Sequence, residues 1–288
     1  MTNILLTGIA TLDIINQLDH YPAEDSEVRA QSQSIRTGGN ASNSAIVLQQ
    51  LGLNAHLLAN RADDANAHFI FSELEQRQIN ASLCPVQIHS TTPTSYITLN
   101  MQNGSRSIIH YRNLAELRAA DFTKLDLSLF NWLHFEARDC TQQIEMLQYA
   151  RSFNKPISIE LEKNRDSIDA IMPFADILLI SKPFAESRGF KNAIDCLQYF
   201  SQRYKNKTIT CTWGDQGAWA YCKSEIIHQN AYKIAKPIET LGAGDTFNAG
   251  IIASLIRQKS TSQALSFACK LAANKCQQTG FDQLIIPE

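Results

Sequence analysis

The chain has 288 residues, 44% of them hydrophobic and 19% charged, and 26 Lys+Arg against 28 Asp+Glu leave a formal net charge of -2. That composition is expected of a soluble globular protein. Without basic runs or a stretch near the ~18 apolar residues of a membrane span, neither nucleic acid nor membrane is an expected partner.

At roughly 150 residues per domain, the length fits two domains or one α/β core with a smaller appendage. The N-terminal run, Met1 to Gly8, has no positive region and is too short in apolar residues for a signal peptide; Ile4 to Leu6 reads as a first buried strand. Seven scattered cysteines, Cys84, Cys140, Cys196, Cys211, Cys222, Cys269 and Cys276, form no Cys-x-x-Cys or His/Cys metal spacing. A reducing, cytoplasmic setting is the expectation.

Further along, Ala67, Ile70, Phe71 and Leu74 fall at helical spacing behind Asp63-Asp64. Strands are expected at Ile157 to Leu161, Ile177 to Ile180 and Thr208 to Thr212. Ile194, Leu197, Phe200 and Tyr204 give a second helical face behind Asn192. Helices are also expected from about Thr246 to Gln258 and from about Ser262 to Gln277. Strands alternating with amphipathic helices produce a parallel sheet covered on both faces.

Two segments break the alternation, residues 13–37 and 88–112. In the second, Asn103-Gly104 lies between two β-prone runs, a strong hairpin signal. Neither segment is followed by the helix a crossover would require, so both are expected in a small sheet standing apart from the core. The division is then a core of residues 1–12, 38–87 and 113–288, with residues 13–37 and 88–112 as a β-sheet lid or an interface extension.

Two motifs carry chemistry. Glu239-Thr240-Leu241-Gly242-Ala243-Gly244-Asp245-Thr246-Phe247-Asn248 is a Gly-rich turn leading into a helix. Backbone amides at a helix N-terminus favour an anion, and missing Cβ atoms let phosphate oxygens approach the main chain. Asp245 could simply cap the helix. Two preceding glycines favour a phosphate cradle beside a proton acceptor instead.

The other motif, Gly38-Gly39-Asn40-Ala41-Ser42-Asn43-Ser44, places Asn40 and Asn43 three apart on one helical face. Carboxamides both donate and accept, as sugar hydroxyls do; ordinary capping by one Asn is the simpler alternative. The chain has no P-loop, no Gly-x-Gly-x-x-Gly after the first strand, no Gly-x-Ser-x-Gly and no His-Glu-x-x-His.

Together these motifs resemble the two signatures of the PfkB (ribokinase-like) carbohydrate kinase family. The resemblance extends through Gly8 to Asp13, Tyr21 to Glu27, His134 to Arg138 and Gly280 to Asp282, and within the family is nearest to ketohexokinases. It implies an α/β core of mostly parallel sheet with a β-sheet lid, ATP and Mg²⁺, and phosphoryl transfer to a sugar hydroxyl. A ketohexose is implied first, fructose giving the 1-phosphate. Rivals are a 6-phosphorylating fructokinase, a ribokinase, a kinase of an anionic ketose derivative, or a non-catalytic sugar sensor.

Carried over by resemblance, Asp13, Gly39, Asn40 and Asn43 look like sugar ligands. Asp245 looks like the catalytic base; in the turn that Gly242 opens, the amides of Ala243, Gly244 and Asp245 are expected to hold the developing charge. Asp25 resembles a lid residue that reaches a partner's sugar site in a homodimer, and Arg106 resembles a phosphate contact. Trp213, Gly214, Gly217 and Cys269 correspond to nucleotide-site segments.

Two departures stand out: Glu239 replaces the usual Asp, and Ser181-Lys182-Pro183-Phe184 replaces Asn-x-x-Glu. Glu160, Glu162, Glu136 or water are left to organise Mg²⁺, and no metal ligand is assigned. The helix N-terminus is expected to keep Asp245 ionised at neutral pH.

Overall fold

The computed structural model describes residues 2–284. Its central sheet has eight strands, in spatial order Asn54–Leu58, Asn3–Thr7, Trp132–Glu136, Ile157–Leu161, Ile177–Ile180, Thr208–Thr212, Ala218–Cys222 and Glu225–Gln229. The first six run parallel, and each of the last two pairs antiparallel with the strand before it. Parallel strands need crossovers, and helices supply most of them, covering both faces.

The alternation of the strands sorts their side chains between two cores. Ile4 and Leu6 pack with Val47, Phe247 and Leu271 from the helices Asn40–Gln50, Ala243–Ile256 and Thr261–Lys275. Leu5 turns the other way, joining Phe135, Ile159, Leu147 and Phe200 over the helices Cys140–Arg151 and Ala193–Arg203. Each fully buried aliphatic or aromatic side chain contributes about 1.5–3 kcal/mol, so these layers form the rigid body that carries the site.

Helix starts follow their caps. Asp64 accepts from the Ala67 amide ahead of Ala65–Gln76, and Asn192 accepts from the Asp195 amide ahead of Ala193–Arg203. The inward face of the latter is Ala193, Cys196, Leu197 and Phe200, whereas Ile194 is 43% exposed, one step of about 100° away from that stripe. The helix expected from Thr246 begins at Ala243, because Gly242 takes a left-handed turn (φ 77) directly before it.

A second sheet of four strands has the order Ser32–Gly38, Thr11–Leu18, Thr91–Asn100 and Arg106–Asn113. Its outer pairs are antiparallel, and Gly104 (φ 71) lies in the turn joining the last two strands. The central pair, Thr11–Leu18 with Thr91–Asn100, is parallel. This corrects the expectation that neither insert needs a crossover: the intervening chain passes through the core body and returns, so the small sheet is tethered at both ends. In register, Asp13 faces Arg36 on one neighbour and Ser95 on the other.

Candidate active site

The strand order reverses at Asn3–Thr7: the chain adds Asn54–Leu58 on one side of it and then Trp132–Glu136 on the other. In open α/β sheets ligands bind beside such a reversal, at the carboxyl ends of the strands. Here Glu136, Glu160, Ile180 and Thr212, all at those ends, wall a cavity of about 440 Å³. The small sheet contributes Asp13, Ser95, Ile97, Arg106 and His110 from the other side. A larger cleft of about 650 Å³ adjoins it, and Thr212, Gly214, Thr240 and Gly244 line both.

Two helix N-termini aim into the smaller cavity. Asn40–Gln50 is entered through Gly39 (φ 97), where a side chain would lie 2.5 Å from the Ile9 carbonyl oxygen. At Gly38 an added methyl would collide with the Asp13 carboxylate. These glycines let the strand carrying Asp13 pass close beneath the helix.

The Asn43 amide donates to Asp245 Oδ2 at 2.7 Å, and the Ser44 hydroxyl donates to the Asp245 carbonyl at 3.3 Å. Asn40 donates to Glu160 Oε1 at 3.1 Å. Asn40 and Asn43 therefore each hold a buried carboxyl group, which the capping alternative did not include.

Asp245 sits in the first turn of Ala243–Ile256 and is buried. Burial pushes its pKa up to about 7, with Glu162 and Glu136 adding to the rise and the Asn43 bond and Arg106 opposing it. The expectation that the helix N-terminus keeps it ionised at neutral pH is corrected: burial leaves it close to half-protonated there. Glu160 is raised well above its usual range by burial and by the Asp245 charge. Asp13, bonded by the Thr11 hydroxyl at 2.8 Å, is raised to about 6 by burial, against the lowering effects of Thr11, Ser95 and Arg36.

At the phosphate-type turn the glycines differ. A methyl on Gly242 would strike the Phe281 ring, whereas one on Gly244 would meet nothing within 4 Å. The Ala243 amide donates to the Thr240 carbonyl at 3.3 Å. The Gly244 and Asp245 amides have no such partner among the described residues, which leaves two donors at a helix N-terminus beside open space. Arg106 reaches the same turn from the small sheet, donating to Thr240 Oγ1 at 2.9 Å.

Gly214, Gly217 and Cys269 line the larger cleft with Tyr232 and Pro237. Trp213 is buried outside both linings, with the Lys182 ammonium 5.6 Å from its ring centroid. Asp25 lies in an exposed turn (φ 54) of this chain and lines neither cavity. Thr11, Ser95, His110, Arg138 and Lys163 line the cavity but are not among the expected site residues. Thr11 and Arg138 lie in the matched segments Gly8 to Asp13 and His134 to Arg138, a signal that could have found them, whereas only their places on the small sheet and just past a strand end mark Ser95, His110 and Lys163.

For a divalent cation, the donors are few. Glu136 accepts from the Ile9 amide at 3.1 Å and pairs with Arg138 at 3.3 Å. Glu160 Oε2 is buried without a hydrogen-bond partner among the described residues, and Glu162 shares the cavity wall. No cluster of three or more His, Cys, Asp or Glu suited to a metal occurs among the described residues. This donor set fits an ion such as Mg²⁺ that keeps waters and shares substrate phosphate oxygens, with Glu160 and Glu162 as the protein side.

The family model described as pfkB family carbohydrate kinase matches residues 1–287. The chain belongs to the PfkB family of carbohydrate kinases. It is 37% identical to ketohexokinase of Mus musculus over 98% of each chain, and 26% identical to a fructosamine kinase of Bacillus subtilis over 91% of this chain and 88% of that one. Among solved structures, Arabidopsis thaliana ribokinase complexed with ribose and ATP superposes with a TM-score of 0.80 at 19% identity, covering 97% of this chain and 94% of that one. Ribokinase of Thermotoga maritima gives 0.79 at 20% identity, covering 100% and 96%. The PfkB chain is thus a carbohydrate kinase with the ribokinase fold, and its family implies ATP as co-substrate. No helix among the described residues is long and apolar enough to cross a membrane.

Proposed function

We propose that this kinase transfers the γ-phosphate of ATP to a ketohexose hydroxyl, with fructose the first acceptor and the 1-phosphate its product, and with Asp245 as the base. One observation carries this reading: the Asp245 carboxyl, oriented by Asn43, follows directly on Gly244, which lines both the polar cavity and the larger cleft. The sugar fits the polar cavity, where Asp13, Asn40, Asn43 and the Gly39 backbone offer hydroxyl partners. The nucleotide fits the cleft through Gly214, Gly217 and Cys269.

In the reaction, the acceptor hydroxyl attacks in line while its proton passes to the Asp245 carboxylate. A pKa of about 7 leaves that group able to accept a proton at neutral pH and release it afterwards. The Gly244 and Asp245 amides and Arg106 stabilise charge on the transferring group. Mg²⁺, when bound, offsets the triphosphate charge. The small sheet is the proposed lid, excluding water and limiting hydrolysis without sugar.

Similarity to ketohexokinase supports fructose. Lys163 and Lys182 in the cavity wall favour, as a second reading, a ketose carrying an anionic group. An ADP-release panel of ketoses, aldoses and phosphorylated or carboxylated ketoses, with NMR of each product, separates them. Highest kcat/KM for fructose with the phosphate on O1 supports the first reading; a preference for an anionic ketose replaces it.

A homodimer through the small sheet is also proposed. Its face away from the cavity carries the aligned row Ile35, Ile14, Tyr96 and Ile109, and Ile109 is 73% exposed. Tyr96→Ser with Ile109→Ser should convert a dimer to a monomer in light scattering; a wild-type monomer at micromolar concentration would remove this part. With seven free thiols, a reducing compartment such as the cytoplasm is the proposed setting.

A further inference from the structure

Directly behind the polar cavity, a buried ion pair joins the small sheet to the start of the glycine turn. Arg36, on the strand Ser32–Gly38, donates from both terminal nitrogens to Glu239, at 2.9 and 3.2 Å. Glu239 is 2% exposed, and its Oε2 also accepts the Gly280 amide at 3.1 Å. Two planar groups meeting through parallel bonds fix both distance and orientation.

The pair lies on a continuous path between the two substrate positions. At one end Arg36 stands opposite Asp13 in the strand register. At the other end Glu239 begins the segment that Gly242 and Gly244 complete. The Gly280 segment tightens the connection: a methyl at Gly280 would lie 2.9 Å from an Arg36 nitrogen, and the next residue, Phe281, fills the space under Gly242. Asp13, Arg36, Asn43, Glu239 and Leu241 also line one small cavity of about 30 Å³, which places the sugar side and the turn on a shared wall.

Resting on the sugar-kinase reading above, we propose that Arg36 and Glu239 are positioning residues that couple sugar capture at Asp13 to the geometry of the phosphate turn. Neither touches the reacting atoms. Sugar bound at Asp13 settles the Arg36 strand, Arg36 holds Glu239, and Glu239 with Gly280 sets the turn that presents the Gly244 and Asp245 amides. Coupling of this kind is reciprocal: sugar tightens nucleotide binding by the same factor as nucleotide tightens sugar binding.

The test is calorimetry of a non-hydrolysable imido analogue of ATP with Mg²⁺, with and without saturating fructose, on wild type, Arg36→Gln, Glu239→Gln, Arg36→Lys and Glu239→Asp. In wild type the analogue should bind at least fivefold tighter with fructose present. Both Gln variants should reduce that ratio to about one while each ligand alone still binds, and Arg36→Lys should recover part of it. Melting curves for all five proteins identify any variant that fails to fold; the conservative pair then carries the measurement. An unchanged ratio in folded variants, or a wild-type ratio of one, overturns the proposal. Failure of fructose and every other sugar to support ADP release by wild type overturns the function reading instead.

Discussion

Two helices enter the same site through glycine, yet their glycines do different things. At Gly38, Gly39 and Gly242, an added methyl runs into protein: the Asp13 carboxylate, the Ile9 carbonyl and the Phe281 ring. At Gly244 it runs into nothing within 4 Å. The first three glycines are small because the protein itself comes close, and Gly39 and Gly242 also need left-handed backbone. Gly244 is small beside space that the protein leaves open, and the proposed reading gives that space to the ligand. The labour divides in the same way: the Asn40 helix supplies side chains that orient carboxyl groups, and the Ala243 helix supplies backbone donors and the proposed base.

That division can be broken by substitution, and the largest effect belongs to the proposed base, Asp245. Asp245→Asn should lower kcat about a thousandfold while ATP binding persists, checked by ADP release and calorimetry. The same change should stabilise the fold above neutral pH. Because burial raises the folded pKa of Asp245 from 3.8 to about 7, the stability it contributes is full below pH 3.8 and lost as pH rises through about 7. Asp245→Asn should therefore exceed wild type in Tm by more at pH 8 than at pH 5; equal gains at both would contradict the buried titration.

Next in size is Gly39→Ala, which forces a side chain into left-handed backbone and against the Ile9 carbonyl. It should cost about 2–4 kcal/mol in urea unfolding, and a cost under about 0.5 would show that the turn adapts freely. Gly244→Ala should do the reverse. Stability should hold or rise by up to about 1 kcal/mol, since Ala suits a helix better, while KM for ATP rises about tenfold and KM for sugar stays level. Loss of stability there, with kinetics intact, would erase the distinction between the two turns.

The pH profile tests both carboxyl groups without any substitution. With Asp245 raised to about 7 and Asp13 to about 6, kcat/KM for sugar should climb steeply below pH 6, more gently to about 7, and then level. A profile flat from pH 5 to 8 would mean that neither carboxyl group needs to ionise for turnover.

The sequence reading went furthest where one local signal decides the outcome. Ile157–Leu161, Ile177–Ile180 and Thr208–Thr212 are short β-rich runs, and these strands have the expected bounds. Trp132–Glu136 escaped notice as a strand because its polar residues interrupt the run; in the fold His134 is buried and bonded to Ser158 at 2.9 Å. Asp245 and Asn43 stood out as motif residues, but their hydrogen bond spans 202 positions and has no local trace. The Arg36 and Glu239 pair, 203 apart, is equally invisible in a single chain. Burial was the other hidden quantity: the dipole at a helix start is legible from residue types, whereas the desolvation that raises the Asp245 pKa depends on what Glu136, Glu160 and the small sheet enclose.

The most direct measurement is fructose-dependent ADP release with Mg²⁺ and ATP, across pH, for wild type and Asp245→Asn, with the product examined by ³¹P and ¹³C NMR. The expected result is fructose 1-phosphate, a wild-type rate that levels above about pH 7, and loss of at least a hundredfold in the Asn variant with nucleotide affinity retained. An Asn variant that turns over at the wild-type rate, or a product phosphorylated elsewhere on the sugar, would contradict it.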